Sequence, residues 1–150
     1  RRPQDPSLTA TDMVDLVRRY GEGEIKTADG SDPIPLDEVD RVAVMGSTGL
    51  LFGFQQGLKD TLKPYFRDDV EAVATVGSPM QCMLKGVCAQ CLQWQVDPET
   101  GERTRAVFSC AGQDQPLSWV DLETLSARQG QNRLADRLTG LWLDHVLEKA

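Results

Sequence analysis

Two short apolar runs separated by a stretch of helical periodicity form the strongest pattern in the sequence. The run RVAVMG at 41–46 is rich in β-branched residues, and VEAVATV at 70–76 is the second such run. Between them the apolar residues recur at the spacing of one helix face: Leu51, Phe54, Leu58, Leu62 and Tyr65. This predicts a helix over 47–66, with Ser47 as N-cap and Pro64 near its end. Strand, helix and strand over 36 residues are the size of one parallel βαβ unit.

A parallel sheet of two strands is not stable alone, so further strands are expected. They could come from segments that otherwise resemble loops, or from a portion of a longer protein preceding Arg1, which we favour because the chain begins without Met. Gly49, Gly53 and Gly57 line one side of the predicted helix, which indicates close packing of helix on sheet. The alternative is room for a cofactor or a partner backbone.

The residues before this unit predict one helix and a linker. Met13, Val17 and Tyr20 recur at helical spacing, Thr9 and Asp12 have capping-box spacing, and Gly21 is a natural stop. Residues 21–35 contain glycines and prolines and are typical of a long loop.

The residues after the unit predict a hairpin and two helices. In 92–110, apolar residues alternate with polar ones on either side of DPETGE, which has turn chemistry. The last segments, from Leu117 onward, have helical periodicity, with Ser118 and Asp121 at capping-box spacing. In the longer one Leu134, Leu138, Leu141 and His145 share a face. His145 is the single histidine of the chain, and its position predicts a packed or half-buried residue rather than a catalytic base.

Composition narrows the function classes. The chain has 150 residues, 40% of them hydrophobic, which suffices for a packed core. Its net charge is -7 and its 16 basic residues are scattered, so neither nucleic acid nor an anionic membrane is an expected partner. No apolar run is long enough to suggest a membrane span, and no signal peptide is evident. We therefore expect a cytoplasmic location.

Four cysteines carry the candidate chemistry, in the spacing Cys82-x5-Cys88-x2-Cys91-x18-Cys110. In a reducing cytosol such a cluster is more often metal-binding or catalytic than disulfide-bonded. If the hairpin turns at Thr100–Gly101, Cys91 faces Cys110, and opposed side chains in a hairpin have Cβ atoms roughly 4.5–5.5 Å apart. The sequence therefore predicts that the hairpin returns the distant thiol to the other three.

Three cysteines plus one distant cysteine is the arrangement of plant-type ferredoxins, C-x4-C-x2-C…C, although the first gap here is one residue longer. Structural zinc usually takes two separated cysteine pairs, so a [2Fe–2S] cluster is the favoured occupant and zinc the alternative. Unrelated thiols or disulfides are a third, less favoured interpretation. Gly86 and Ala89 are small enough to let backbone amides approach the sulfur atoms.

The segment SPMQCMLKGVCAQCLQW resembles the C-terminal cluster segment of the dihydroorotate dehydrogenase electron-transfer subunit and its relatives. These relatives include the small subunits of NADH-dependent ferredoxin–NADP oxidoreductases and, most similar, the tails of large fused pyridine nucleotide-disulfide oxidoreductases. The resemblance covers about 41–115. In VAVMGS, Met45 stands where the family has Cys, Gly46 matches, and Ser47 replaces Pro.

The resemblance implies that Cys82, Cys88, Cys91 and Cys110 ligate a [2Fe–2S] cluster and that Gly46 and Ser47 belong to a nucleotide-binding turn. No FAD-binding barrel or glycine-rich nicotinamide loop is present. FAD and NAD(P)H are therefore expected in a preceding portion or in a partner. The implied partners are a FAD-containing domain or subunit and an electron acceptor, either a separate protein or a fused flavoprotein.

The predicted fold class is α/β, with a partial nucleotide-binding-type βαβ unit followed by a cysteine-rich hairpin and C-terminal helices. The predicted segments are an N-terminal helix and linker at 1–35, a partial α/β unit at 36–80, the cysteine loop and hairpin at 81–115, and helices at 116–150. The predicted function is the electron-transfer portion of an NAD(P)H-linked flavoprotein oxidoreductase, not catalytically complete alone. The alternative is a structural zinc module that serves in protein interaction.

Overall fold

A computed structural model describes residues 12–25, 34–76, 86, 89–130 and 133–148 of the protein. Its main elements, in chain order, are α1 (Met13–Gly21), β1 (Arg41–Gly46), α2 (Thr48–Gly57), β2 (Glu71–Val76), β3 (Leu92–Val96), β4 (Arg103–Phe108), β5 (Gln115–Pro116), α3 (Leu122–Gln129) and α4 (Arg133–Leu147). Short 3₁₀ helices lie at Leu36–Glu38, Lys63–Tyr65 and Leu117–Trp119. Helices and strands are thus mixed, as the predicted α/β class requires.

The βαβ unit is confirmed. β1 and β2 are parallel neighbours, in register from Arg41 opposite Glu71 to Gly46 opposite Val76. The next strand of this sheet is β5, which pairs antiparallel to β2. The favoured prediction, a strand supplied from before Arg1, is therefore wrong for this edge of β2. β5 has two residues, one of them proline, and such a short edge strand leaves no alternation in the sequence.

α2 is shorter than the predicted helix over 47–66. It ends at Gly57, whose carbonyl accepts a hydrogen bond from the Leu62 N–H at 2.7 Å, and Pro64 lies in a separate 3₁₀ helix. Leu62 is nevertheless fully buried. Glycine costs a helix about 0.5–1 kcal/mol relative to alanine, which favours an early end in this glycine-containing segment. The apolar spacing thus predicted the burial of Leu51, Phe54 and Leu62 correctly, but Leu58 and Tyr65 are only half-buried and the helix is shorter than predicted.

One hydrophobic core joins the βαβ unit to α3. Its buried members are Val44, Leu51, Phe54, Leu62, Ala74, Val76, Leu117, Val120, Leu122 and Leu125. The Gln55 side chain reinforces this junction, because its Nε2 donates to the carbonyls of Leu117 at 2.7 Å and Val120 at 3.0 Å. The segment after the hairpin therefore completes the core that α2 and the sheet begin.

Two of the three glycines of α2, Gly53 and Gly57, pack against another helix rather than against the sheet. A Cβ added at Gly53 or Gly57 would lie 3.2 or 3.0 Å from the side chain of Val14 in α1, whereas Gly49 faces open space apart from Ser47. The prediction of close packing at Gly53 and Gly57 is therefore right, but the neighbour is α1. Glycine allows the two helix backbones to approach each other.

Two helix starts differ from the predicted capping boxes. Asp12 caps α1 by accepting from the Val14 N–H at 2.8 Å, and Thr9 lies outside the described residues. Likewise Asp121, not Ser118, caps α3, accepting from the Thr124 N–H at 2.9 Å. In both cases the helix begins after the acidic residue of the predicted box. Most of the predicted linker, at 26–33, lies outside the described residues.

The hairpin forms as predicted, but its register differs by one residue. Leu92 pairs with Phe108, which places Ser109 rather than Cys110 opposite Cys91. The register also shifts between Gln95 and Val96. The turn is centred one residue earlier than predicted, since Val96 pairs with Arg103, and the irregularity offsets only part of this shift.

The leucine face of α4 is exposed to solvent. Leu134, Leu138 and Leu141 are more than half exposed, and His145 on the same face is also exposed. The prediction of a packed or half-buried His145 is therefore wrong. Within the described residues, no helix combines the length and apolar character needed to cross a membrane.

Candidate metal centre

Two of the four predicted ligands lie at the open end of the hairpin. Cys91 directly precedes β3 and is 3% exposed, and its carbonyl accepts from the Ser109 N–H at 3.4 Å. Cys110 follows Ser109 in the turn after β4 and is half-buried. Both are free thiols. The hairpin thus brings Cys110 to within one residue of the position opposite Cys91, although 18 residues separate the two in sequence.

The other two predicted ligands, Cys82 and Cys88, lie outside the described residues. Among the residues that are described, no group of three or more His, Cys, Asp or Glu side chains is placed to hold a metal. The four-thiol site therefore stays a prediction.

Gly86, between Cys82 and Cys88 in the sequence, lies against the same end of the hairpin. A Cβ at this position would be 3.7 Å from the ring of Phe108, two residues before Cys110. The φ of Gly86 is +65°, a left-handed conformation that favours glycine. One point of the segment joining the first two predicted ligands is thus next to the strand that leads to the fourth.

A tight turn leads from Ala89 into β3. The Leu92 N–H donates to the Ala89 carbonyl at 3.2 Å, and Ala89 has φ +54°, which is costly for a residue other than glycine. Arg128, in the last turn of α3, donates to the backbone of this turn: Nη1 to the Ala89 carbonyl at 2.6 Å, and Nη2 to the carbonyls of Gln90, at 3.3 Å, and Leu92.

Sequence reasoning did not single out Arg128. A basic residue in the last turn of an amphipathic helix is ordinarily explained by the helix dipole. Arg128 is separated by 36–39 residues from the turn at 89–92 that contains Cys91 (the cysteine turn), so the local sequence gives no signal of this contact. Only the packing of α3 beside β3 brings them together.

Gln93, also missed, is the buried polar residue of greatest interest near the cysteines. It is 2% exposed and two residues from Cys91 along β3, and neither of its side-chain amide atoms has a hydrogen-bond partner among the described residues. Alternate residues of a strand share a face, so Gln93 is on the Cys91 side of β3. Gln95 is the next residue on this face. Its Nε2 donates a hydrogen bond to the Gln115 Oε1, and its Oε1 accepts one from the Arg105 Nε at 2.7 Å.

The predicted nucleotide turn lies at the sheet edge nearest this site. Gly46 ends β1 and pairs with Val76, and Ser47 caps α2 by accepting from the Leu50 N–H at 3.3 Å. Val76 in turn donates from its N–H to the Ser109 hydroxyl at 3.3 Å. Gly46 is therefore connected to the cysteine end of the hairpin in two steps: its strand pairing with Val76, and the hydrogen bond from the Val76 N–H to the Ser109 hydroxyl. The carboxyl edge of parallel strands is where α/β folds usually bind ligands.

A cavity of about 560 Å³ lies elsewhere, at the amino end of β2, where Glu71 and Ala72 line it together with Lys59, Lys63 and Arg67. Gly46 and the two described cysteines, Cys91 and Cys110, belong to the opposite end of the strands. This cavity is therefore separate from the candidate metal centre.

Comparison with known proteins adds little to the α/β assignment. No family model matches the chain. The chain is similar to a protein of Rickettsia prowazekii (strain Madrid E) described as "Uncharacterized protein RP006", with 32% identity over 74 residues. The match covers 49% of this chain and 10% of that protein. The chain thus corresponds to a small part of a much longer relative.

Proposed function

We propose that the protein is the electron-transfer portion of an NAD(P)H-linked flavoprotein oxidoreductase, with a [2Fe–2S] cluster held by Cys82, Cys88, Cys91 and Cys110. When bound, such a cluster would accept and donate one electron at a time. The main observation in support of this proposal is that Cys110 lies one residue from the position opposite the buried Cys91 in the hairpin.

The residues near these thiols suit a sulfur-rich group. A thiolate or sulfide accepts hydrogen bonds, and such bonds tune iron–sulfur centres. The Gln93 Nε2 is a buried donor that has no acceptor among the described residues. A buried polar group of this kind is costly unless something satisfies it. A sulfur acceptor beside Cys91 would meet that need.

The neighbouring sheet edge suits the proposed electron donor. Gly46 and Ser47 lie at the carboxyl end of β1, linked to the hairpin through Val76 and Ser109. We propose that FAD and NAD(P)H are held by another domain or subunit and that this edge faces it. The electron acceptor is then a separate protein or a fused flavoprotein.

The test is anaerobic reconstitution of the purified chain with iron and sulfide. We expect two iron and two sulfide per chain, with visible absorbance that bleaches with dithionite. Replacement of any one cysteine by serine, C91S and C110S first, should remove most of both. The matched control is A111S, which adds a hydroxyl beside Cys110 without removing a thiol, and it should retain them.

A colourless chain that keeps stoichiometric zinc after iron reconstitution would contradict the proposal and support the structural zinc module. Full iron and sulfide in C110S would contradict the ligand assignment, because the hairpin geometry would then have no part in binding.

A further inference from the structure

We propose that Arg128 is the positioning residue of the metal centre: it holds the backbone turn that carries Cys91, and its positive charge favours the reduced form of the bound group. The second half of this statement rests on the proposed function. The first half does not, since it follows from contacts of Arg128 with the chain itself.

The guanidinium of Arg128 is fixed at the outer edge of β3. The start of α3 is held there, because the Asp121 N–H donates to the Trp94 carbonyl at 3.0 Å. Leu122 and Leu125 of α3 are buried in the core. One turn later, Arg128 donates to the Leu92 carbonyl on the same edge. Strand and helix are therefore in contact at two points.

Arg128 also sets the direction of the turn's peptide groups. A trans peptide places each carbonyl opposite the next N–H. Because the carbonyl of Gln90 faces Arg128, the N–H group of Cys91 points away from the guanidinium. An anionic group on that far side would meet this backbone donor.

Within the described part of the chain, no carboxylate forms an ion pair with Arg128, and its hydrogen-bond acceptors are neutral carbonyls. A [2Fe–2S] group with four thiolates becomes more negative on reduction, so a fixed nearby cation stabilises the reduced form.

Three variants separate the two effects. R128Q removes the charge and most of the donors, whereas R128K keeps the charge and loses the forked geometry. R67Q is the control: it removes one positive charge from the other end of β2, where Arg67 pairs with Asp40 and Asp69.

The first readout is the rate at which Cys91 reacts with a maleimide in metal-free full-length chain, followed by peptide mass spectrometry. Loss of the Arg128 contacts should open the turn, and we expect a rate increase of about tenfold in R128Q, less in R128K and none in R67Q. Circular dichroism would verify that each variant is folded.

The second readout is the midpoint potential of the reconstituted chain. In R128Q we expect the equilibrium constant for one-electron reduction to fall about tenfold, which is ~59 mV. R128K, which keeps the positive charge, should have the wild-type potential, and so should R67Q.

The outcomes are distinguishable. If the wild type takes up no iron and sulfide, the proposed function fails, while the labelling rates still decide whether Arg128 positions Cys91. If the cluster forms but R128Q matches R67Q in labelling, the positioning role is overturned and the proposed function stands. Equal potentials in R128Q and R67Q would overturn the role of the charge.

Discussion

The hydroxyl of Ser109 accepts a hydrogen bond from the Val76 N–H at 3.3 Å, joining the last residue of β2 to the cysteine end of the hairpin. Ser109 is 2% exposed and lies opposite Cys91. This contact links the parallel sheet to the candidate metal centre.

Replacing Ser109 by alanine should lower the free energy of unfolding by about 1–2 kcal/mol, because the buried Val76 N–H loses its acceptor. Urea denaturation would measure the change. The control is S118A, at an exposed serine in the 3₁₀ helix Leu117–Trp119, which should shift stability by less than about 0.5 kcal/mol. Equal effects of the two variants would contradict a structural role for the Ser109 hydroxyl.

Gln93 and Gln95 should respond oppositely to replacement by leucine. In the metal-free chain, Q93L removes a buried amide without a described partner and should be neutral or stabilising by up to about 1 kcal/mol. Q95L breaks bonds to Gln115 and Arg105 and should cost about 1–3 kcal/mol. Thermal unfolding of both would check this. A large loss in Q93L would indicate that its amide has a partner in the free protein.

The glycines of α2 offer a second matched pair. G49A should stabilise the chain by about 0.5–1 kcal/mol, because the new methyl group has space and alanine favours the helix. G57A should instead destabilise it by about 1 kcal/mol. Its methyl would lie 3.0 Å from Val14 and 3.3 Å from Leu62, and overpacking outweighs the gain in propensity. Stabilisation of similar size in both variants would contradict the close contact between α1 and α2.

Tyr65 should make stability fall at alkaline pH. Its hydroxyl donates to the Glu22 carboxylate at 3.0 Å, and this bond raises the pKa of Tyr65. A raised pKa means that the folded state favours the protonated phenol. The contribution is complete below the unfolded pKa of about 10 and is lost as pH rises through the folded value.

Unfolding midpoints measured from about pH 8 to about pH 11 should therefore decline less in Y65F than in the wild type. Y20F is the control, since the Tyr20 hydroxyl donates to a neutral carbonyl, that of Ile34. An identical alkaline decline in Y65F and the wild type would contradict the role of the Glu22 bond.

The sequence by itself determined the βαβ unit, the hairpin and part of the core. In β2 and α2 the apolar pattern and burial agree, whereas the equally apolar β1 buries only Val44 and leaves Met45 70% exposed. It also indicated that Cys110 returns toward Cys91, because turn residues and alternation specify a hairpin. Four thiols in a three-plus-one spacing are likewise a property of the sequence alone.

The tertiary structure decided what depends on contacts between distant segments. The hairpin register is one residue from the prediction because the turn is centred one residue earlier than predicted, and the irregularity at Gln95 and Val96 offsets only part of that shift. The two-residue β5 is a strand only because β2 is beside it. Arg128 reaches the cysteine turn because buried leucines fix α3 against the core. Local propensity reports the conformation of a segment, but the neighbour of each side chain follows from packing, which no local pattern contains.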